Sequence, residues 1–454
     1  MAISSIGVGS GLPLAELLDN LRTTQETRLT PIVSRQKSAE ARITAYGQLK
    51  SELSNLSTAA QSLLGDAFDS MKTTVTGTDF KAEATTHALA GNYTLKVGGL
   101  ASAQSLVMTG QASRTENIGS GGMIHFTING ATTSVDLSTT GSSLENIVSA
   151  INGTSDLGVQ ATILNNGTGT PHQLILTSKE TGTQAAVSAI TVTGNGALES
   201  VLQFGTAGST VAETAAADAH IAINGVDIVS QNNTIKNVVD GVTLTLNNVS
   251  TTSQALEVSG DSQGVTDAIK TFVDRYNDVL KKVKQVTNYD AEKKTGSALT
   301  GDSLARSIQS KLSGILNTTS STGAFNMLSE IGIRTDPMTG LLNIEESVLT
   351  TALVETPSDV QALFRNEAGV AKKALAIANS FTDSSNGLLT TASEGASAQL
   401  KDLALQYSRT ELRIEAQMEI YRKQFTAMDS LVAQMNSTSS YLTQQLSKLG
   451  TSAT

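Results

Sequence analysis

Apolar residues follow a helical period at both ends of the chain and a strand period between them. Behind Pro13, which suits a first helical turn, Leu14, Leu17, Leu18 and Leu21 share one face. Tyr46, Leu49, Leu53, Leu56, Ala60 and Leu63 then recur at alternating steps of three and four, the seam of a coiled coil or bundle helix, with Gly65 as its stop. Residues 1–12, small and rich in Gly and Ser, read as a disordered tail.

From about residue 74 the period becomes two. Tyr93, Leu95 and Val97 alternate with polar neighbours, which predicts a half-buried strand. Further strands are predicted at 123–128, 132–137, 158–164, 173–177, 187–193, 219–229 and 241–247. Short helices are predicted at 143–152, behind a capping box Ser142-x-x-Glu145, and near 197–204. A weak repeat pairs His125-Phe-Thr-Ile-Asn-Gly130 with His220-Ile-Ala-Ile-Asn-Gly225. Its Asn-Gly steps predict type I′ hairpins, each followed by a helix-like turn and a Gly-Val strand at Gly158 and Gly241. Two related β-rich units fit this pattern better than one large sheet.

Helical period returns at Val265, Ile269, Phe272, Tyr276, Val279, Val283 and Val286, every seam position being apolar. Asp302 is placed to cap a following helix, and Asp336-Pro-Met-Thr-Gly340 suits a hairpin. The last seam runs through Tyr407, Glu411, Ile414, Met418, Tyr421, Phe425, Met428, Val432, Met435, Ser439, Leu442, Leu446 and Leu449, with only Glu411 and Ser439 polar. A helix over that stretch is about 65 Å long, more than a globular domain needs. The expected fold class is α+β and multidomain, with terminal helical coiled-coil or bundle segments enclosing two inserted β-rich domains.

Composition narrows the function. In 454 residues there is no Cys and no Trp, so disulfides, thiolate metal sites and thiol nucleophiles are excluded together. The four His (His87, His125, His172, His220) have no metal-ligand spacing, and no metal or cofactor is expected. Residues 74–263 hold five Lys/Arg against fourteen Asp/Glu, −9 of the chain's −10. Such a surface repels phosphate backbones, which argues against a nucleic-acid partner. No stretch reaches the roughly 18 apolar residues of a membrane span. The first basic residue is Arg22, so no cleaved signal peptide is expected.

Gly260-Asp-Ser-Gln-Gly264 matches a nucleophile elbow, G-x-S-x-G, between a predicted strand and a predicted helix. That chemistry needs a His later in the chain, and none follows His220. The segment reads instead as a domain-exit turn in which Asp261 or Ser262 caps the helix. Gly7-Val-Gly-Ser-Gly11 lacks the spacing of a dinucleotide fingerprint and reads as part of the flexible tail. No catalytic residue is expected.

Specific strings carry a resemblance. They are Ile3-Ser-Ser-Ile-Gly-Val-Gly-Ser-Gly-Leu12, Gly91-Asn-Tyr-Thr-Leu-Lys-Val-Gly-Gly-Leu-Ala-Ser-Ala-Gln104, Ile223-Asn-Gly-Val-Asp-Ile, Asp240-Gly-Val-Thr-Leu-Thr-Leu246, Phe272-Val-Asp-Arg-Tyr-Asn277, Leu299-Thr-Gly-Asp-Ser303 and Leu328-Ser-Glu-Ile-Gly-Ile333. In this order they resemble the flagellar filament cap family, the flagellar hook-associated protein 2 family, over nearly the whole chain. Pro13 stands where that family commonly has an acidic residue. The repeat at 125 and 220 resembles small β modules of flagellin and hook-associated proteins.

The resemblance implies a non-enzymatic structural protein at the distal tip of the bacterial flagellum, exported through the flagellar type III channel. It implies a ring-shaped homo-oligomer that holds arriving flagellin, promotes its insertion and folding, and prevents its loss. Hook–filament junction proteins and a cytoplasmic export chaperone at the C-terminal helix are further partners it implies. A surface adhesin binding mucin or host glycans, or another axial component such as a junction protein, is the alternative. The expected division is 1–40 as a flexible N-terminal leg, 41–73 and 264–409 as a helical bundle, 74–115 and 215–263 as one β-rich domain, 116–214 as an inserted outer β-rich domain, and 410–454 as a coiled-coil C-terminal leg. Leu14, Leu17, Leu18, Leu21, Tyr421, Phe425, Leu442, Leu446 and Leu449 are the expected contacts to the filament or to neighbouring copies.

Overall fold

The chain is seen in a computed structural model that describes residues 7–316 and 324–451, with side chains described to residue 447. It divides into two compact units, one of residues 1–67 with 262–454 and one of residues 68–261. Unit one opens with helix α1 (Leu14–Glu26) and helix α2 (Thr30–Leu64). Pro13 is the residue before α1, Pro31 sits in the first turn of α2, and Gly65 ends α2. The predicted seam is real: Tyr46, Leu49, Leu53, Leu56, Ala60 and Leu63 are all buried.

Unit two is β-rich and holds two separate cores. In the first, an antiparallel sheet runs in the order Met71–Val75, Gln254–Gly260, Gly91–Gly99, Ala219–Ile223, Val226–Ser230. It shares its core with a three-stranded sheet of Thr234–Val239, Val242–Leu246 and Phe80–Ala84. The second core lies under Ala212–Thr214, Ser105–Val107, His172–Ser178 and Val159–Asn165, with a further sheet of Ala131–Asp136, Met123–Ile128 and Val187–Thr193. Helices α3 (Leu144–Gly153) and α4 (Gly196–Leu202) complete it. Both repeat hairpins turn on left-handed pairs, Asn129 and Gly130 at φ 46° and 77° and Asn224 and Gly225 at φ 49° and 84°.

Three expectations are corrected here. Residues 219–229 are two strands joined by the Asn224–Gly225 turn rather than one. The second copy of the repeat has the strand Thr234–Val239 where the first has α3, so the copies share their hairpin but not the following turn. The cap of α3 is Ser143, whose side chain accepts from the Asn146 N–H; Ser142 is fully buried and bonds Asn117 and Gly119 instead. The local sequence offered two adjacent hydroxyls, and packing chose between them.

Unit one resumes with α5 (Ser262–Thr287), whose seven seam residues from Val265 to Val286 are all buried. It continues through α6 (Ser303–Leu316), α7 (Glu346–Glu355), α8 (Pro357–Arg365), α9 (Val370–Thr382) and α10 (Leu388–Thr451). The predicted hairpin pairs Ile333–Thr335 with Leu342–Ile344. Helix α2 packs against α5, α9 and α10. Phe272 of α5 meets Phe364 of α8 edge to face, with ring centroids 6.2 Å apart.

Side-chain amides act as extra β-bridges to buried residues. Asn277 accepts from the Leu342 N–H at 2.7 Å and donates to its C=O at 2.8 Å. Asn233 grips Ala101 at 2.7 and 2.8 Å, and Asn152 grips Ala161 at 2.9 and 2.9 Å. Gln104 does the same to Val187 at 2.8 and 3.1 Å, inside the Gly91–Gln104 string. Each clamp satisfies two buried backbone groups at once.

Candidate assembly surface

The terminal helices of unit one form the surface in question. Helix α10 has 64 residues, which makes it about 96 Å long. It begins at Leu388, well before the start of the predicted seam, so the C-terminal coiled coil is the end of a longer bundle helix. Helix α2 crosses residue 40 and α10 crosses residue 410 without interruption.

Near residue 46 the pairing is locked by polar groups. The Tyr46 hydroxyl donates to Asp302 at 2.6 Å and accepts from Arg42 at 3.2 Å. Asp302 also caps α6, as predicted, by accepting from the Leu304 and Ala305 N–H groups. Burial, and then the bond to Asp302, raises the Tyr46 phenol above its ordinary value. Lys50 donates to Thr390 at 2.9 Å, which fixes α2 against the start of α10.

At the far end Ser10 bonds Asp429, its N–H at 2.8 Å and its hydroxyl at 2.5 Å. The anchored pairs Ser10–Asp429 and Lys50–Thr390 have index sums of 439 and 440, so residues 10–50 run antiparallel to α10 in one register. The segment expected to be a disordered tail is therefore in part a folded turn: residues 7–12 are ordered, while 1–6 lie outside the described residues. The Gly7–Gly11 loop closes on itself through the Gly11 N–H and the Gly7 carbonyl at 2.9 Å.

Each expected contact residue now has a place. Leu14 is buried and Leu18 and Leu21 are half-buried, all on the face that α1 turns to α10. Tyr421 and Phe425 are half-buried at the matching level of α10. These five serve the intramolecular pair, so they are not free surface. Leu17 faces away from the pair and is exposed. Leu442 and Leu446 are 53% and 68% exposed, while the side chain of Leu449 lies outside the described residues.

From Gln434 to Ser447 every described residue of α10 is exposed. Met435, Tyr441, Leu442 and Leu446 thus extend the seam beyond its cover. A second stripe escaped the sequence reading. Leu405, Leu412, Ile420 and Leu431 are exposed on one side of α10, joined by Ala416 and Ala427. Helical spacing puts Arg409, Arg413 and Lys423 on that side too, with Glu419 at its edge paired to Lys423 at 3.9 Å. Those cations dilute the apolar period, so the stripe does not read as a heptad in the sequence.

No group of three or more His, Asp or Glu suited to a metal ion occurs among the described residues. Ser262 opens α5 directly after the strand Gln254–Gly260, in a unit that contains no His. No helix among the described residues is long and apolar enough to cross a membrane.

Comparison with known proteins agrees with this architecture. Residues 10–104 match the family model for the flagellar hook-associated protein 2 N-terminus and residues 216–437 the one for its C-terminus. Residues 124–180, which include the first repeat hairpin, match the flagellin hook IN motif. Flagellar hook-associated protein 2 of Escherichia coli (strain K12) is 36% identical over 98% of both chains, and that of Salmonella typhimurium is 34% identical over 99% of this chain and 100% of its own. The crystal structure of the D1-D2-D3 domains of the flagellar cap protein FliD from Escherichia coli is 33% identical, covers 78% of this chain and 99% of that one, and superposes with a TM-score of 0.67. The chain belongs to the flagellar hook-associated protein 2 family: it is a filament-tip cap protein, structural rather than enzymatic. Neither the adhesin nor the junction-protein reading has a counterpart among these matches.

Proposed function

We propose that identical copies of this chain close into a ring at the filament tip and dock through the terminal helices of unit one. There they retain arriving flagellin and promote its insertion and folding. The observation that carries this reading is the seam of α10 continuing past its intramolecular partner, with Leu442 and Leu446 exposed. Exposed leucines at seam spacing on a rigid helix are a docking face for another helix. The apolar and basic stripe from Leu405 to Leu431 is a second such face, suited to a partner whose apolar residues are flanked by carboxylates.

The same exposed α10 surface is where an export chaperone would bind before assembly, and hook–filament junction proteins are its partners before filament growth. Export through the flagellar type III channel fits a chain without cysteine.

Removal of residues 435–454 tests the docking role while sparing the stretch of α10 that carries α1. The shortened protein is expected to give the same oligomeric mass by light scattering, yet leave a cap-deficient strain non-motile and shedding flagellin. Leu442→Ser with Leu446→Ser should reproduce the loss. Normal motility in both would refute docking through that stretch.

A further inference from the structure

Helix α1 has the construction of a swinging arm. It is 13 residues long and buries one side chain, Leu14. A helix of that length is marginal in water by itself. At its C-terminal end the link to α2 tightens into i→i+3 turns, Arg28 to Gln25, Leu29 to Glu26 and Thr30 to Thr27. Such a tightened turn within a helical run is a characteristic hinge. At its N-terminal end the Gly7–Gly11 loop grips Asp429.

That grip is made to fit. The Ser10 hydroxyl, followed by the Ser10, Gly7 and Gly9 N–H groups, holds the Asp429 carboxyl below the usual carboxylate range. Glycine is required at one position and sits in close contact at another. Gly7 has φ +99°, and a Cβ there would sit 2.4 Å from the Leu12 carbonyl oxygen. A Cβ on Gly9 would stand 3.2 Å from the Ala433 Cβ and 3.3 Å from the Asp429 carboxylate. Asp429 is also the sole acidic residue from 420 to 454, so the end of α10 offers one carboxylate for the loop. One heptad earlier stands Arg422, which cannot accept from N–H groups, and one heptad later the neutral Asn436.

We propose that Gly7–Gly11 is a clasp seated on Asp429, with a hinge at Thr27–Leu29, and that the arm opens when α10 docks. Opening uncovers Leu14, Leu18, Leu21, Tyr421 and Phe425 together, so a self-covered seam becomes a seam for a partner helix. A cap beneath which subunits are added must make and release its contacts repeatedly, and a hinged arm with one clasp allows this without unfolding the bundle. The functional half of the proposal rests on α10 being the docking helix; the mechanical half does not.

Hydrogen exchange on the purified full-length chain tests the mechanics. In Asp429→Asn the amides of Leu14–Glu26 should exchange at least roughly tenfold faster while those of α2 from Tyr46 onward stay unchanged. Equal α1 exchange in the two proteins would overturn the clasp. For the docking half, Gly9→Cys with Ala433→Cys places two Cβ atoms near the roughly 3.5–4.5 Å of a disulfide, in a chain that has no other cysteine. The oxidised double variant should slow α1 exchange, keep its oligomeric mass and fail to bind cap-less filament tips, and reductant should restore binding. Tip binding by the oxidised protein equal to wild type would overturn the opening step, and loss that reductant does not reverse would also count against it. Failure of the reduced protein and of wild type to bind tips would instead refute docking itself.

Discussion

Two helix pairings in unit one use the same three-and-four spacing to opposite ends. Along α2, the residues from Tyr46 to Leu63 meet α5, α9 and α10, and none of the six seam side chains is more than 2% exposed. Along α1 the spacing is equally regular, yet among the described residues α10 is its main partner and Leu14 is the one residue it buries. The periodicity sets which face turns inward; the number of neighbours sets how far that face is withdrawn from water. A seam with several partners becomes core, and a seam with one partner stays half-covered.

The largest test of that contrast compares two leucines. Leu53→Ala should cost about 3 kcal/mol in urea unfolding, because several helices enclose the cavity it leaves. Leu18→Ala should cost less than about 1 kcal/mol. Equal losses would break the comparison.

A smaller effect sharpens it from the polar side. Asn277 is 8% exposed and holds both backbone groups of Leu342, so Asn277→Ala should cost about 2–3 kcal/mol by leaving them unpaired. Asp429→Asn, at the exchangeable end, should leave the global unfolding midpoint where it is. A matching drop in both would mean that the clasp belongs to the core.

The smallest effect is the pH dependence. Asp383 is held below the usual carboxylate range by the Asn386 and Ser385 N–H groups. Asp218 in unit two is held down by the Thr183 N–H. The folded chain therefore binds these protons less readily than the unfolded one. The stability they contribute is complete above the ordinary carboxylate range and is lost as pH falls through it, from about pH 4 downward. Denaturation midpoints should decline on acidification, and Asp383→Asn with Asp218→Asn should flatten that slope.

Much of the fold was legible in the residues. The seams of α2 and α5 and the strands 123–128 and 187–193 fall where periodicity places them, because burial of one face is written locally. The Asn129–Gly130 and Asn224–Gly225 turns follow, since few residues tolerate positive φ. The family strings added the cap assignment, which no period could supply.

The clasp was not legible, because Ser10 and Asp429 are 419 residues apart and the string that contains Ser10 says nothing of its partner. Nor were the amide clamps on Ala101, Val187 and Leu342, where an Asn or Gln in sequence is indistinguishable from a surface residue. The sequence by itself determined which faces of the terminal helices are apolar, through a spacing that any helix must obey. Only the tertiary structure decided which of those leucines are covered. Cover depends on where the chain returns: among the described residues the N-terminal segment meets α10 at Asp429, while Leu442 and Leu446 are exposed.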